Sequence, residues 1–283
     1  MKGYIVEKFS KMTGAYSCNR LVEEAKKRGI DLRILGIADI TVTKEGVFCH
    51  GEQIEPCDFV IYRYKHGKVK DAIGALAKRT YNDSDAFCTY INKYEQLRTL
   101  SSEGFLMPDY MLGTGFTSYE EIVAKLGLPF ILKGLESAQG AEVYLVEHQE
   151  DFQEVLGKYP LEKEYVFEEY IASSYGRDIR FYSIRGEIIA SMTREAVSGF
   201  KANVALGANV RALPISEDMK QTAKDIYAQT GLDFLGIDLL FGTDKPYFCE
   251  INVMPGMEGM EKATGVNVAG SIIDTIVRDF QCM

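Results

Sequence analysis

Apolar residues recur in this chain with two different periods, and the alternation between them divides its length. A short apolar run at 4–7 precedes a segment at 17–28 with Leu21, Val22 and Ala25 at helical spacing, which Gly29 closes as a C-cap. Further apolar runs follow at 31–37 and 58–62, with a polar hairpin between them that turns at Glu45-Gly46. Strands separated by a helix predict parallel βαβ units, hence an α/β lobe over residues 1–88. From about Cys88 the order changes: a helix at 92–103 ending at Gly104, a helix at 118–126, strands at 129–132 and 142–147, a helix at 150–158 and a strand at 165–170. That order predicts a small α+β module over 89–171. The remainder, 172–283, reads as a long hairpin (178–184 with 187–193), a helix at 217–230, a second hairpin (234–241 with 247–252) and a closing helix at 266–280. No repeat or Pro/Gly-rich linker separates the three parts, so they are expected to pack directly against one another.

Composition narrows the class without changing that picture. The apolar fraction of 46% and charged fraction of 26% are those of a soluble globular protein. A net charge of −9 and a pI near 5.1 argue against nucleic-acid or anionic-membrane partners. No stretch approaches the roughly 20 apolar residues that span a bilayer, and Glu7, Lys8 and Lys11 interrupt the N-terminal apolar run, which together predict a cytoplasmic location. The six cysteines form no Cys-x-x-Cys pair and the three histidines no His-x-x-x-His pair, so zinc and redox motifs are unsupported.

The second hairpin carries the strongest chemical signal. Glu250 and Asn252 are two apart and share a sheet face. If the hairpin closes symmetrically about Asp244, Asp238 lies opposite Glu250. Opposed carboxylates repel, whereas a dication between them attracts both. Carboxylate and amide oxygens suit Mg2+, which keeps waters and takes phosphate oxygens as further ligands. Asp238, Glu250 and Asn252 therefore read as a Mg2+-nucleotide site.

Complementary positive charge lies upstream. Lys93 lies in a helix-forming segment at the junction of the first two parts, and Lys133 ends the apolar run Pro129-Phe-Ile-Leu-Lys133. Such lysines deliver an ammonium to phosphate or simply lie in solvent, and spacing alone does not choose. The loop Gly134-Leu-Glu-Ser-Ala-Gln-Gly140, with Gln139 and Gly140 at its end, can cap phosphates through backbone N–H groups or be a plain hairpin loop. Glu168-Glu169-Tyr170-Ile171 can turn one acid towards a ribose hydroxyl. Arg177, Asp178, Arg180, Arg194, Lys201 and Asn203 form a basic group in an acidic chain, with Arg180 and Arg194 on the two arms of one hairpin. Walker-type and Gly-x-Gly-x-x-Gly phosphate loops are absent, as is a Gly-x-Ser-x-Gly nucleophile elbow.

The order of these residues resembles an ATP-grasp ligase of the RimK-like group, which attaches amino acids such as glutamate to carboxylates. The specific part is Cys249-Glu-Ile-Asn-Val-Met-Pro-Gly-Met-Glu-Gly-Met-Glu261 followed by Thr264-Gly-Val-Asn-Val-Ala269, and Tyr16-Ser-Cys-Asn-Arg-Leu21 is similar to a segment of the family's first lobe. The resemblance implies an ATP-grasp fold behind an N-terminal Rossmann-like lobe, with ATP between the central and C-terminal parts. It implies that Lys93 and Lys133 hold ATP phosphates and that Glu168, Glu169, Tyr170 and Ile171 line adenine and ribose. Gln139, Gly140, Asp178 and Lys201 would complete the nucleotide contacts. Asp238, Glu250 and Asn252 would bind Mg2+, with Mn2+ the alternative ion. Asn203 would join the phosphate and metal surroundings, while Arg180 and Arg194 would orient an acyl phosphate or the acceptor. The implied partners are a small-molecule or peptide carboxylate and an amino-acid or amine acceptor, with a homo-oligomer left open. Two stretches depart from the family pattern, Ser137-Ala-Gln-Gly-Ala141 and Val204-Ala-Leu-Gly-Ala208. The second leaves open a nucleotide-binding protein without ligase turnover.

Overall fold

In the first lobe the strand Lys2–Glu7 is buried along almost its whole length, the pattern of a strand covered on both faces. It pairs in parallel with Asp31–Gly36 on one side and Cys57–Tyr62 on the other. The helix Tyr16–Lys27 makes the crossover, burying Leu21 and Ala25, with Lys26 and Lys27 in its last turn and Gly29 in the left-handed region. A fourth parallel strand, Ala77–Tyr81, completes the sheet beside Cys57–Tyr62. Sequence pattern had not marked it, nor the helix Lys68–Gly74 before it, because charged residues interrupt the apolar positions of both. Lys70 is one, lying 4.3 Å from the Tyr62 ring centre. The computed structural model describes residues 1–9, 16–65, 67–137 and 140–282.

The middle module is a four-stranded antiparallel sheet in the order Val143–Val146, Phe130–Gly134, Glu164–Glu169, Tyr110–Thr114. Helices Tyr119–Leu126 and Gln149–Leu156 cover it. Ser118 caps the first of these by accepting the Glu121 N–H. Phe130, Phe152 and Phe167 meet edge to face at 6.1–6.2 Å, each pair contributing about 1 kcal/mol beyond its area.

The third part is a five-stranded antiparallel sheet ordered Asn209–Ala212, Glu187–Glu195, Arg177–Ile184, Phe234–Leu240, Tyr247–Asn252. The helix Glu217–Thr230 has the bounds its pattern predicts, with Ser216 as N-cap. The expected closing helix is present, and a further short helix that the pattern does not mark precedes it. Glu258–Thr264 ends at Gly265 in the left-handed conformation, and Val268–Gln281 begins after Asn267, whose side chain accepts the Gly270 N–H. One apolar cluster joins Val6, Val60, Leu97, Phe181 and Ile251, and another joins Leu21, Phe59, Tyr182 and Ile272, so the first and third parts share their cores. The middle module has a cluster of its own. Among the described residues no helix is long and apolar enough to cross a membrane.

Candidate nucleotide and metal site

Lys93 is the first residue of the helix Lys93–Ser101, behind Asn92, which accepts the Tyr94 and Glu95 N–H groups. A cation in a first helical turn opposes the helix dipole, so its place there requires another reason. The residue is 6% exposed, and its ammonium donates to the Ser137 carbonyl at 2.7 Å and lies 3.7 Å from a Glu250 oxygen. Lys133 lies within the buried strand Phe130–Gly134 rather than at its end, and it too is 6% exposed. It pairs in register with Val166, which makes Glu168 its diagonal neighbour on the same face. The two side chains form an ion pair at 2.6 Å. Burial opposes the Lys133 charge, but the carboxylates of Glu168 and Glu250 outweigh it and hold the ammonium protonated above its ordinary range. Neither lysine is a solvated chain end.

The hairpin Phe234–Leu240/Tyr247–Asn252 has the expected register at its functional end: Asp238 lies opposite Glu250, and Gly236 opposite Asn252. The register then slips, because Leu239 pairs with Phe248 and Cys249 is the extra residue of a bulge. The Cys249 thiol is thereby buried 3.9 Å from the Lys133 ammonium, and burial pushes it up to about 12, so it stays protonated.

Asp238 is not held against Glu250 by repulsion alone. Arg180 grips it through Nε and Nη2 at 2.6 and 2.5 Å, and Arg194 donates Nη2 to the same carboxylate at 2.7 Å. Arg194 also forks onto Asp178 with two bonds of 2.6 Å. Burial works against the ionised Asp238, but both guanidinium groups keep it below the ordinary carboxylate range. Asp178 shares one arginine and is pushed up by burial, to about 6. The expectation that opposed acids need a dication is thus modified, because two arginines already neutralise one of them. A carboxylate has four lone-pair positions, and these three bonds leave one on Oδ1. Among the described residues no group of three His, Cys, Asp or Glu side chains gathers, so a metal set here must use an amide. Asn252 offers its Oδ1, which also accepts the Met254 N–H at 3.0 Å. Glu250, Asn252 and the remaining Asp238 position are hard oxygen donors that fit a small dication with waters and phosphate oxygens completing its shell.

Two clefts meet over these residues. The first encloses about 850 Å3 open to solvent, and Lys93, Lys133, Gly140, Glu168, Glu169, Tyr170, Ile171, Asp178, Lys201, Asp238 and Glu250 line it. The second, about 1720 Å3, runs to the first lobe and takes in Arg180 and Asn252, which do not line the first. Lys93, Ser137, Arg194, Asn203 and Glu250 belong to both. Glu168 meets Lys133, so Glu169, half-buried and bonded to the Asp109 N–H, is the acid with a freer edge for hydroxyl groups. Lys201 donates to the Gly140 carbonyl at 2.8 Å. A Cβ on Gly140 would come within 2.9 Å of Asn203 Oδ1, which closes the loop tightly on this wall. Gln139 lies outside the described residues. Pattern reading missed the apolar walls Ile131, Val143, Phe200 and Leu240, which have the same signature as core residues. It also missed Arg63 and Lys65 in the second cleft, which follow a buried strand with no local motif.

A family model described as the RimK-like ATP-grasp domain matches residues 91–276. A protein of Methanococcoides burtonii named a probable alpha-L-glutamate ligase is 32% identical over 280 residues, 92% of this chain and 91% of its own. The ATP-grasp ligase PsnB, solved with a minimal precursor, superposes with a TM-score of 0.73 at 18% identity over 98% of both chains. The D-alanine–D-alanine ligase of Bacillus anthracis, solved with ATP, gives 0.72 at 16% identity over 98% of this chain and 96% of its own. At such identities the two structures speak for the fold alone.

Proposed function

The chain belongs to the RimK-like ATP-grasp family, and from that premise we propose that it is an ATP- and Mg2+-dependent carboxylate–amine ligase. In this reading a carboxylate is activated as an acyl phosphate, an amine displaces the phosphate, and an amide, ADP and phosphate result. The observation that carries the reading is the meeting of two clefts at Lys93, Ser137, Arg194, Asn203 and Glu250. A phosphoryl donor in one and an acceptor in the other would face each other across that line.

Bound Mg-ATP supplies the transferable phosphoryl group and the dication. The protein's own residues supply position and charge, which is most of what phosphoryl transfer asks of them. Lys93 and Lys133 would hold phosphate oxygens, and their low exposure removes competing water. Glu250, Asn252 and Asp238 would hold the metal, while Ile131, Phe200 and Leu240 give a flat base an apolar slot. Arg180 and Arg194 are fixed by Asp238 and Asp178, so they meet developing negative charge without reorganising. No side-chain nucleophile is required, in keeping with the protonated Cys249 thiol. The relatives' named activity makes an amino acid the first candidate amine, glutamate foremost.

The test is phosphate release from Mg-ATP against a panel of carboxylates and amino acids, with hydroxylamine to trap an acyl phosphate. Turnover should require a cognate pair, and Glu250→Gln should lower it by about 100-fold or more with the fold intact. Full turnover in Glu250→Gln would sink the metal assignment. ATP binding with neither phosphate release nor hydroxamate under every carboxylate would leave a nucleotide-binding protein instead.

A further inference from the structure

The four parallel strands of the first lobe run in the order Asp31–Gly36, Lys2–Glu7, Cys57–Tyr62, Ala77–Tyr81. The chain leaves Lys2–Glu7 in one direction through the helix Tyr16–Lys27 and later returns on its other side, so the order reverses at Lys2–Glu7 and Cys57–Tyr62. Open parallel sheets bind ligands outside the carboxyl ends of their strands at such a reversal. Arg63 stands there. Its N–H bonds the Val6 carbonyl at 2.9 Å, and its side chain reaches the second cleft.

The Arg63 guanidinium is half used. Nη1 donates to the Pro255 carbonyl at 3.0 Å, which fixes the plane, while Nε is buried with no partner among the described residues. Arg28, Arg180 and Arg194 each place Nε and Nη2 side by side on one carboxylate. The corresponding edge of Arg63 has no carboxylate among the described residues. Glu7, an acid of the same cleft, is engaged elsewhere: one oxygen takes the Lys8 N–H at 2.8 Å and the other the Cys18 thiol at 3.7 Å. Cys18 is no counter-ion, because burial, opposed by Arg63, pushes its thiol up to about 11. A buried donor left unpaired costs free energy in the empty protein, and an anion would recover it. Lys65, whose ammonium donates to the Glu136 carbonyl at 2.7 Å, lines the same cleft and adds positive charge.

We propose that the open edge of Arg63 binds a non-reacting carboxylate of the amino-acid substrate in the second cleft, making Arg63 a specificity-determining residue. The inference rests on the ligase reading of the adjoining site. The carboxylate is planar and bidentate, which fits the fork and explains an arginine in place of a lysine. It comes either from the α-carboxylate or from an acidic side chain.

Calorimetric titration of the whole protein, preloaded with Mg2+ and a non-hydrolysable ATP analogue, tests this with the common L-amino acids, each beside its decarboxylated amine. For glutamate, γ-aminobutyrate lacks the α-carboxylate and L-2-aminobutyrate lacks the side-chain one, so the pair tells the two sources apart. At least one amino acid should bind, and the analogue lacking the carboxylate that Arg63 holds, the amine for the α-carboxylate or the side-chain-deleted amino acid for an acidic side chain, should bind roughly 30-fold more weakly or worse. Arg63→Met should abolish that difference, and Arg63→Lys should recover only part of it. Under turnover Arg63→Met should raise KM for the amino acid and leave KM for ATP unchanged, a split that mere loss of the Pro255 bond would not give. Equal binding of each amino acid and of all its carboxylate-deleted analogues, no binding by any amino acid, or undiminished discrimination in Arg63→Met would each overturn the proposal. Failure of the ligase reading is separate, because it would appear in the unmutated protein as nucleotide binding without amide formation.

Discussion

A lysine ammonium stripped of water loses more free energy than any single hydrogen bond returns. Lys133 is sustained at 6% exposure because a carboxylate on the neighbouring strand lies 2.6 Å away. Glu168→Gln should therefore lower unfolding stability by about 3 kcal/mol, read from the denaturant midpoint at constant m-value. Saturating Mg-ATP should restore part of that loss by bringing phosphate oxygens to the same ammonium. Spacing left Lys133 balanced between solvated chain end and phosphate ligand. Burial at both of its neighbours decided the matter, and burial of a charge is not written in a local pattern.

At the scale of elements, the site depends on how one helix is docked. Tyr247–Asn252 is the edge strand of its sheet, and the backbone of Ile251 faces outwards without a strand to pair with. Gln96 takes that place: its side-chain amide donates to the Ile251 carbonyl at 2.9 Å and accepts the Ile251 N–H at 2.7 Å. A third bond, to the Tyr90 carbonyl at 2.7 Å, closes the chain's approach to the helix. Gln96 is one turn beyond Lys93, and Ile251 is next to Glu250, so this amide sets the distance between the candidate phosphate lysine and the candidate metal carboxylate. Gln96→Leu should cost about 2 kcal/mol of stability by leaving backbone groups unpaired. It should also raise KM for ATP, measured by phosphate release. A substitution that lowered stability and left KM for ATP untouched would show that the helix does not set the site.

For the whole molecule the distribution of cores is decisive. The first and third parts are joined by two shared apolar clusters and by Arg79, which pairs with Asp233 and Asp279 where Arg185 of the third part also pairs. The middle module, which carries Lys133, Glu168 and Glu169, packs mainly on its own smaller cluster. Hydrogen exchange should therefore be faster in Phe130–Gly134 and Glu164–Glu169 than in Arg177–Ile184 and Phe234–Leu240, and Mg-ATP should slow the middle module most. Equal protection throughout would argue against separate cooperativity. The sequence by itself determined the alternation of elements, the parallel first lobe, the long hairpin and the facing of Asp238 and Glu250, because these follow from period, caps and strand register over short spans. Only the tertiary structure decided that both lysines are buried, that Asp238 is already gripped by two arginines, and that Arg63 has a free edge where the sheet order reverses. Those outcomes depend on which distant groups come within bonding distance, and a charge declares its role only when its partners, or their absence, are in place.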